Sequence, residues 1–115
     1  MKVKARVLKT ESVEIEISFP IYRYQDCGGD TYDAEYFTRI DSNFRLVTIR
    51  RASDFRSHTK QVDWEMEIEQ YKSIEEYAAS GSLEWITGTG DYALTEKRWT
   101  EIANEFKQAV AKELP

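Results

Sequence analysis

Val62-Asp63-Trp64-Glu65-Met66-Glu67-Ile68-Glu69 is the stretch from which the fold class is read. Apolar and acidic residues alternate in it, and a period of two is typical of a β-strand with one buried face and, here, one acidic face. The period changes at Ser73-Ile74-Glu75-Glu76, which has the pattern of a helix-capping box with Ser73 as the N-cap. Strands followed by helices predict the α+β class.

The residues before this stretch predict further strands. Residues 2–8 and 12–19 both alternate, and a hairpin folded about Thr10 would place Lys4 opposite Glu16, an attractive cross-strand pair. Beyond this hairpin, residues 35–40 and 44–50 form two more predicted strands, joined by a sequence typical of a tight turn, Asp41-Ser42-Asn43.

The C-terminal segment predicts an amphipathic helix that begins after Thr95. Its apolar positions are spaced three and four apart: Trp99, Ile102, Ala103, Phe106, Val110 and Leu114. The stretch Leu83–Ile86 reads as a last strand or a packed loop. We therefore predict an antiparallel sheet of about five strands, covered on one face by the C-terminal amphipathic helix and one short helix. The sheet residues expected to face that helix are Val13, Ile15, Ile17, Trp64, Met66 and Ile68.

Length and composition predict a single domain that spans residues 1–115. Apolar residues make up 41% of the chain, enough for one core without metal or disulfide support. No run approaches the ~20 apolar residues of a membrane span, and the first residues lack the apolar centre of a signal peptide. Cys27 is the single cysteine, so no internal disulfide forms. We expect a cytoplasmic protein with no membrane contact.

No set of residues in the sequence indicates a catalytic centre, a cofactor or a metal site. Cys27 and His58 are the only members of their kinds, and such a pair is recognised by its geometry rather than by its presence. Four carboxylates surround Gly28-Gly29 in residues 26–35, but their spacing does not match a calcium loop. We therefore expect a non-enzymatic protein, and the alternative is an enzyme with an unrecognised site.

The acidic strand face predicts a surface for a protein partner. Residues 61–85 carry seven acidic residues against Lys72, within a chain of net charge −5. Tyrosine is favoured at binding surfaces, because it buries a large area with little loss of side-chain entropy. The predicted partner-binding residues are Asp63, Glu65, Glu67, Glu69, Tyr22, Tyr24 and Tyr36.

The alternative prediction is contact with nucleic acid through the basic residues of the segment 39–60. Arginine beside aromatic residues on a sheet is a common way to hold a single strand. The residues in question are Arg45, Arg50, Arg51, Arg56 and Lys60. The net negative charge argues against this alternative, and so does the acidic strand that follows, which could pair with the arginines.

The layout of the chain resembles that of small proteins encoded by phages and prophages. The segments that carry the resemblance are the opening strand Lys2-Val3-Lys4-Ala5-Arg6-Val7, the second strand ending in Phe19-Pro20-Ile21-Tyr22, and the helix after Thr95-Glu96. Some such proteins inhibit bacterial defence systems, and anti-CRISPR proteins are among them. The resemblance implies a binding protein that inhibits a host complex, and it assigns no role to any single residue.

Overall fold

The computed structural model describes residues 2–8, 11–29, 32–54, 62–79 and 81–113. It has an α+β fold in which antiparallel strands precede the helices. The elements are β1 (Lys2–Leu8), β2 (Glu11–Glu16), β3 (Ile21–Asp26), β4 (Tyr32–Ile40), β5 (Arg45–Asp54), β6 (Val62–Gln70), α1 (Ile74–Ala78), α2 (Leu83–Thr87), a 3₁₀ turn (Gly90–Tyr92) and α3 (Glu96–Glu113). None of the helices in these ranges has both the length and the apolar character needed to cross a bilayer.

The strands form two sheets rather than the single sheet of about five strands that we predicted. β3, β4, β5 and β6 make a four-stranded antiparallel sheet in sequence order, whereas β1 and β2 pair with each other as a separate hairpin. The break coincides with Pro20, which has no N–H group to donate to a ladder. After it, β3 pairs with β4 and not with β2.

The hairpin of β1 and β2 is confirmed, but its predicted register was wrong by two residues. Lys4 lies opposite Glu14 instead of Glu16, and the register shifts again between Arg6 and Leu8.

The turn between β4 and β5 is the one that the sequence predicts. The Asp41 carboxylate accepts hydrogen bonds from the backbone N–H groups of Asn43 (2.8 Å) and Arg45 (3.2 Å). Phe44 closes the turn with a φ of +63°, a left-handed conformation that is unusual for an aromatic residue. Its carbonyl accepts a 3.0 Å hydrogen bond from the N–H of Tyr71, which anchors the end of β6 to the turn.

The four-stranded sheet has two faces that pack against different elements. On the first, which we call the α3 face, Phe37 and Ile49 form a buried cluster with Ile102 of α3. On the second, which we call the acidic face because the carboxylates of β6 lie there, one end of the sheet is covered by α1 and α2. The buried core at that end consists of Ile17, Ile21, Ile40, Leu46, Tyr77, Ala78 and Ile86.

Capping residues define the starts of the helices. Ser73 caps α1 as predicted, since its hydroxyl accepts a 3.1 Å hydrogen bond from the N–H of Glu76. Thr95 caps α3 in the same way through the N–H of Arg98. The prediction of a strand or loop at Leu83–Ile86 was wrong, because Ser82 caps a short helix there and Gly88 ends it in a left-handed conformation.

The packing of α3 differs from the prediction at the edge of the sheet. Trp64 meets Phe106, with ring centroids 6.2 Å apart. Met66 and Ile68, however, are each 49% exposed, because α3 packs mainly on β4 and β5 and leaves most of β6 uncovered. Ile17 belongs to the core under α1 and α2, and the side chains of Val13 and Ile15 lie outside the described residues. That α3 is the main cover of the sheet stays a prediction.

Candidate functional site

A row of four carboxylates runs along β6 on the acidic face. The register of the sheet places Asp63, Glu65, Glu67 and Glu69 opposite Ala52, Arg50, Thr48 and Leu46 of β5. All four are exposed, and the side chains of Asp63 and Glu65 keep 75% and 66% of their accessible surface. Rigid strand geometry therefore holds four negative charges about 7 Å apart at the surface.

The charge of this row is only partly neutralised by its neighbours. Arg50 Nη1 lies 3.6 Å from Asp63 Oδ2 and 3.8 Å from Glu65 Oε2, distances typical of loose surface pairs. Within the described ranges, neither Glu67 nor Glu69 forms an ion pair. Among the described residues, Arg50 is the partner of Asp63 and Glu65 in these ion pairs, so the row keeps an excess of negative charge.

The backbone of β6 is accessible as well as its carboxylates. In the described part of the chain β6 is an edge strand, with β5 as its neighbour on one side. Its other set of side chains includes Val62, Met66 and Ile68, which are 43% to 49% exposed on the α3 face. The strand therefore combines an exposed edge with an acidic side and an apolar side.

The structure divides the predicted tyrosines between the two faces. Tyr36 lies on the acidic face, in the register row that also contains Glu65. Tyr22 and Tyr24 lie on the α3 face: Tyr22 packs near Trp99 with ring centroids 6.4 Å apart. Even-numbered positions of β3 face α3, so these two tyrosines do not join the carboxylates of β6 in one surface.

Tyr24 takes part in the packing of the α3 face. Its hydroxyl donates a 2.8 Å hydrogen bond to Glu35 Oε2, and its ring lies 5.2 Å from that of Phe37. Burial and the hydrogen bond to Glu35 raise the pKa of Tyr24 well above its ordinary value. Both contacts indicate a structural role.

The arginines proposed for nucleic-acid contact are also divided. Arg51 lies on the α3 face, where Nη2 is 2.6 Å from Glu35 Oε1 and Nη1 is 3.3 Å from Glu105 Oε2. Arg50 lies on the acidic face, and Arg45 is exposed at the start of β5. Arg56, Lys60 and His58 lie outside the described residues.

Neither Cys27 nor the acidic residues near it assemble a metal centre in the described ranges. Cys27 is an exposed free thiol. The parts of the chain that the structure describes contain no group of three or more His, Cys, Asp or Glu side chains placed to hold a metal ion.

A cavity of about 260 Å³ on the acidic face was not anticipated from the sequence. It crosses the sheet along one row of paired residues: Arg23 of β3 pairs with Thr38 of β4, Thr38 with Thr48 of β5, and Thr48 with Glu67 of β6. The other lining residues are Gln25, Tyr36, Leu46, Glu69, Tyr71 and Trp85.

Arg23 is the unusual residue of this cavity. It is only 5% exposed, yet within the described residues it forms no ion pair with a carboxylate. Its Nη1 donates a 3.1 Å hydrogen bond to the Trp85 carbonyl, whereas its Nε has no hydrogen-bond partner in the described part of the chain. Burial lowers the pKa of Arg23 from its ordinary value, because desolvation disfavours the cation.

One signal in the sequence points to this residue. Ile21-Tyr22-Arg23-Tyr24 follows Pro20, and strand alternation places Arg23 on the same face as Ile21. A buried Ile21 therefore implies an inward-facing Arg23. The neighbouring residues Tyr22 and Tyr24, which we predicted as binding residues instead, lie on the α3 face.

Comparison with known proteins gave no match to a protein-family model, to a curated protein or to a solved structure.

Proposed function

We propose that this protein is a binding protein that takes up an extended basic segment of a partner protein along β6. The observation that carries the proposal is the combination, on one exposed edge strand, of a row of four carboxylates with exposed Met66 and Ile68 on the other side. The partner strand would pair with the backbone of β6 and extend the sheet, a recognised mode of peptide binding.

Charge complementarity determines which kind of partner fits. A strand that alternates basic and apolar residues would place its cations beside Glu65 and Glu67 and its apolar side chains beside Met66 and Ile68. Opposite charges directly across a ladder contribute roughly 0.2–1 kcal/mol each. Backbone hydrogen bonds supply affinity in this mode, and the side-chain pattern supplies specificity.

The same row of carboxylates disfavours pairing with a second copy of β6. Like charges placed opposite each other destabilise a ladder, and charged edge strands are a common protection against self-association. The acidic edge therefore selects a basic partner over another copy of the chain.

The resemblance in layout to small phage and prophage proteins extends the proposal to the identity of the partner. We take that partner to be a component of a bacterial defence complex, which this protein would meet in the cytoplasm and inhibit by contact. No chemical step is needed for such a role.

The test uses a nine-residue peptide of alternating lysine and valine, as long as β6, and a matched peptide with glutamate in place of lysine. Binding of the labelled peptides is measured by fluorescence anisotropy at low and at physiological salt. We expect the lysine peptide to bind and the glutamate peptide not to bind. Asp63→Lys with Glu65→Lys should weaken binding by about tenfold or more, because both changes reverse attraction at the edge.

The control variant carries the same change in net charge on other exposed sites, Asp91→Lys with Glu101→Lys. It should bind the lysine peptide nearly as well as the parent. Equal weakening in both variants would show that the peptide responds to net charge alone, and the proposed site on β6 would then be wrong.

Nucleic-acid contact through the basic segment stays the alternative prediction. Arg50 and Arg51 face opposite sides of the sheet and each has carboxylate neighbours, which does not favour a shared basic surface. Gel retardation of short single-stranded DNA and RNA at physiological salt tests it, with Arg50→Glu plus Arg51→Glu as the variant. We expect no retardation, whereas a shift that the variant loses would support the alternative.

A further inference from the structure

The cavity on the acidic face is lined by a buried cationic side chain, Arg23, whose hydrogen-bond donors are only partly used. Arg23 is almost completely buried and lines the cavity, but it meets one carbonyl oxygen instead of a carboxylate within the described residues. Buried charges in proteins are generally paired, because an unpaired charge away from water is costly. Among the described residues, no carboxylate forms an ion pair with the Arg23 guanidinium, whose Nη1 donates its hydrogen bond to the Trp85 carbonyl.

The opposite end of the same cavity is negative. Glu67 stands three strands away from Arg23 in the same register row, and Glu69, whose negative charge attracts the Arg23 guanidinium, lines the cavity beside it. Between the two ends, the hydroxyl groups of Thr38 and Thr48 lie 3.0 Å apart and hydrogen-bond to each other. The strands thus hold a positive end, a neutral polar middle and a negative end in fixed order across the sheet.

We infer that this cavity binds a small zwitterion, with its carboxylate towards Arg23 and its ammonium group towards Glu67 and Glu69. The volume of about 260 Å³ limits the ligand to a small molecule. At roughly 30 Å³ for each water-sized group, the cavity holds eight or nine such groups. A ligand whose two charges are separated by several methylene groups, an ω-amino acid, matches the distance across three strands better than a compact α-amino acid does.

Both ends of the cavity contribute to the binding of the proposed zwitterion. Arginine presents donors in a planar fork that matches a carboxylate, so the fixed position of Arg23 orients one end of the ligand. The Trp85 ring packs against that position, with its centre 3.5 Å from the guanidinium carbon. A monofunctional acid or amine would leave one end of the cavity without its counter-charge.

The inference does not depend on the docking of a partner strand on β6. Asp63 and Glu65, which the docking test changes, are not among the residues that line the cavity. Glu67 belongs to both proposed sites. Asp63 and Glu65, however, belong only to the docking surface and Arg23 only to the cavity, so variants at these residues distinguish failure of the peptide to bind from failure of the ligand to bind.

The test is a titration of the protein with 6-aminohexanoate, hexanoate and hexylamine, followed by calorimetry and by amide chemical shifts. We expect 6-aminohexanoate to bind about tenfold tighter or more than either monofunctional compound, because it satisfies both ends. The largest shifts should fall on Arg23, Thr38, Thr48 and Glu67. Equal binding of all three compounds, or no binding of the zwitterion, would overturn the inference.

Two variants assign the ends of the ligand. Glu67→Gln with Glu69→Gln, both at exposed positions, should reduce the affinity for 6-aminohexanoate to that for hexanoate. Arg23→Met should abolish the binding of both, and a thermal melt verifies that it is folded. Asp63→Asn with Glu65→Gln is the matched control and should leave binding unchanged. An unchanged affinity in the Glu67 and Glu69 variant would overturn the assignment of the negative end.

Discussion

The guanidinium carbon of Arg23 lies 3.5 Å from the centre of the Trp85 ring, and Arg23 Nη1 donates a 3.1 Å hydrogen bond to the backbone oxygen of the same tryptophan. Stacking on an aromatic ring compensates a desolvated cation by about 2 kcal/mol. Removal of a charge from water costs several kcal/mol, even after relaxation of the surroundings. The hydrogen bond to Trp85 and the attraction of Glu69 offset only part of this cost, so we expect the burial of Arg23 to lower the stability of the fold.

The first prediction follows from this cost. Arg23→Met replaces the buried cation with an apolar side chain of similar length that can still pack on Trp85. We expect the free energy of unfolding in urea to stay within about 1 kcal/mol of the parent or to rise, since the desolvation of the cation is relieved. A loss above about 3 kcal/mol would show that Arg23 stabilises the fold and would contradict our reading of the cavity.

The second prediction concerns the contact between α3 and the sheet. Ile102 is completely buried against Phe37 and Ile49, so Ile102→Ala should lower the free energy of unfolding by about 2–5 kcal/mol. Val110 lies on the same helix but is 39% exposed, and Val110→Ala should cost less than about 1 kcal/mol. Equal melting temperatures for the two variants would show that α3 does not cover the sheet.

The third prediction is a loss of stability at high pH that depends on Tyr77. Burial raises the pKa of Tyr77 to about 12, and its hydroxyl donates a hydrogen bond to the Ile86 carbonyl. In the unfolded chain the phenol loses its proton near pH 10, while the folded protein still holds it. The unfolded state then binds fewer protons, so stability falls between pH 10 and 12 by about 1.4 kcal/mol for each pH unit.

Tyr77→Phe provides the comparison for this effect. It should be less stable than the parent at neutral pH by about 1 kcal/mol, because the Ile86 carbonyl loses its donor. Its stability should decline less steeply above pH 10, since the other titrating groups are common to both proteins. Parallel curves for the two proteins in urea unfolding would contradict the raised pKa.

Short sequence patterns predict the strands, helix starts and turns, because each of these depends on interactions between residues close together in the chain. The alternation in residues 62–69 becomes β6, and the hydroxyl groups of Ser73 and Thr95 cap the helices that they precede. The Asp41 turn follows for the same reason, since its side chain bonds to backbone groups two and four residues ahead. Each feature depends on residues within one turn or one strand.

The grouping of the strands and the contents of the site depend on contacts distant in sequence. Nothing in residues 2–16 shows that their hairpin stays separate from the other strands. The division of Tyr24 and Tyr36 between opposite faces follows from register and from the position of α3, neither of which is encoded locally. Three successive strand pairings place Arg23 and Glu67 in the lining of one cavity. No single stretch of sequence predicts this arrangement.

The most direct test of the docking proposal is amide hydrogen exchange along β6 with and without the peptide of alternating lysine and valine. Edge pairing adds hydrogen bonds to the backbone groups of β6 that do not pair with β5. We therefore predict that the peptide slows exchange at alternate amides of residues 62–70, and that exchange in α3 and in β3, at the other edge of the sheet, is unchanged. Peptide binding without added protection in β6, or with protection confined to β3, would contradict the account.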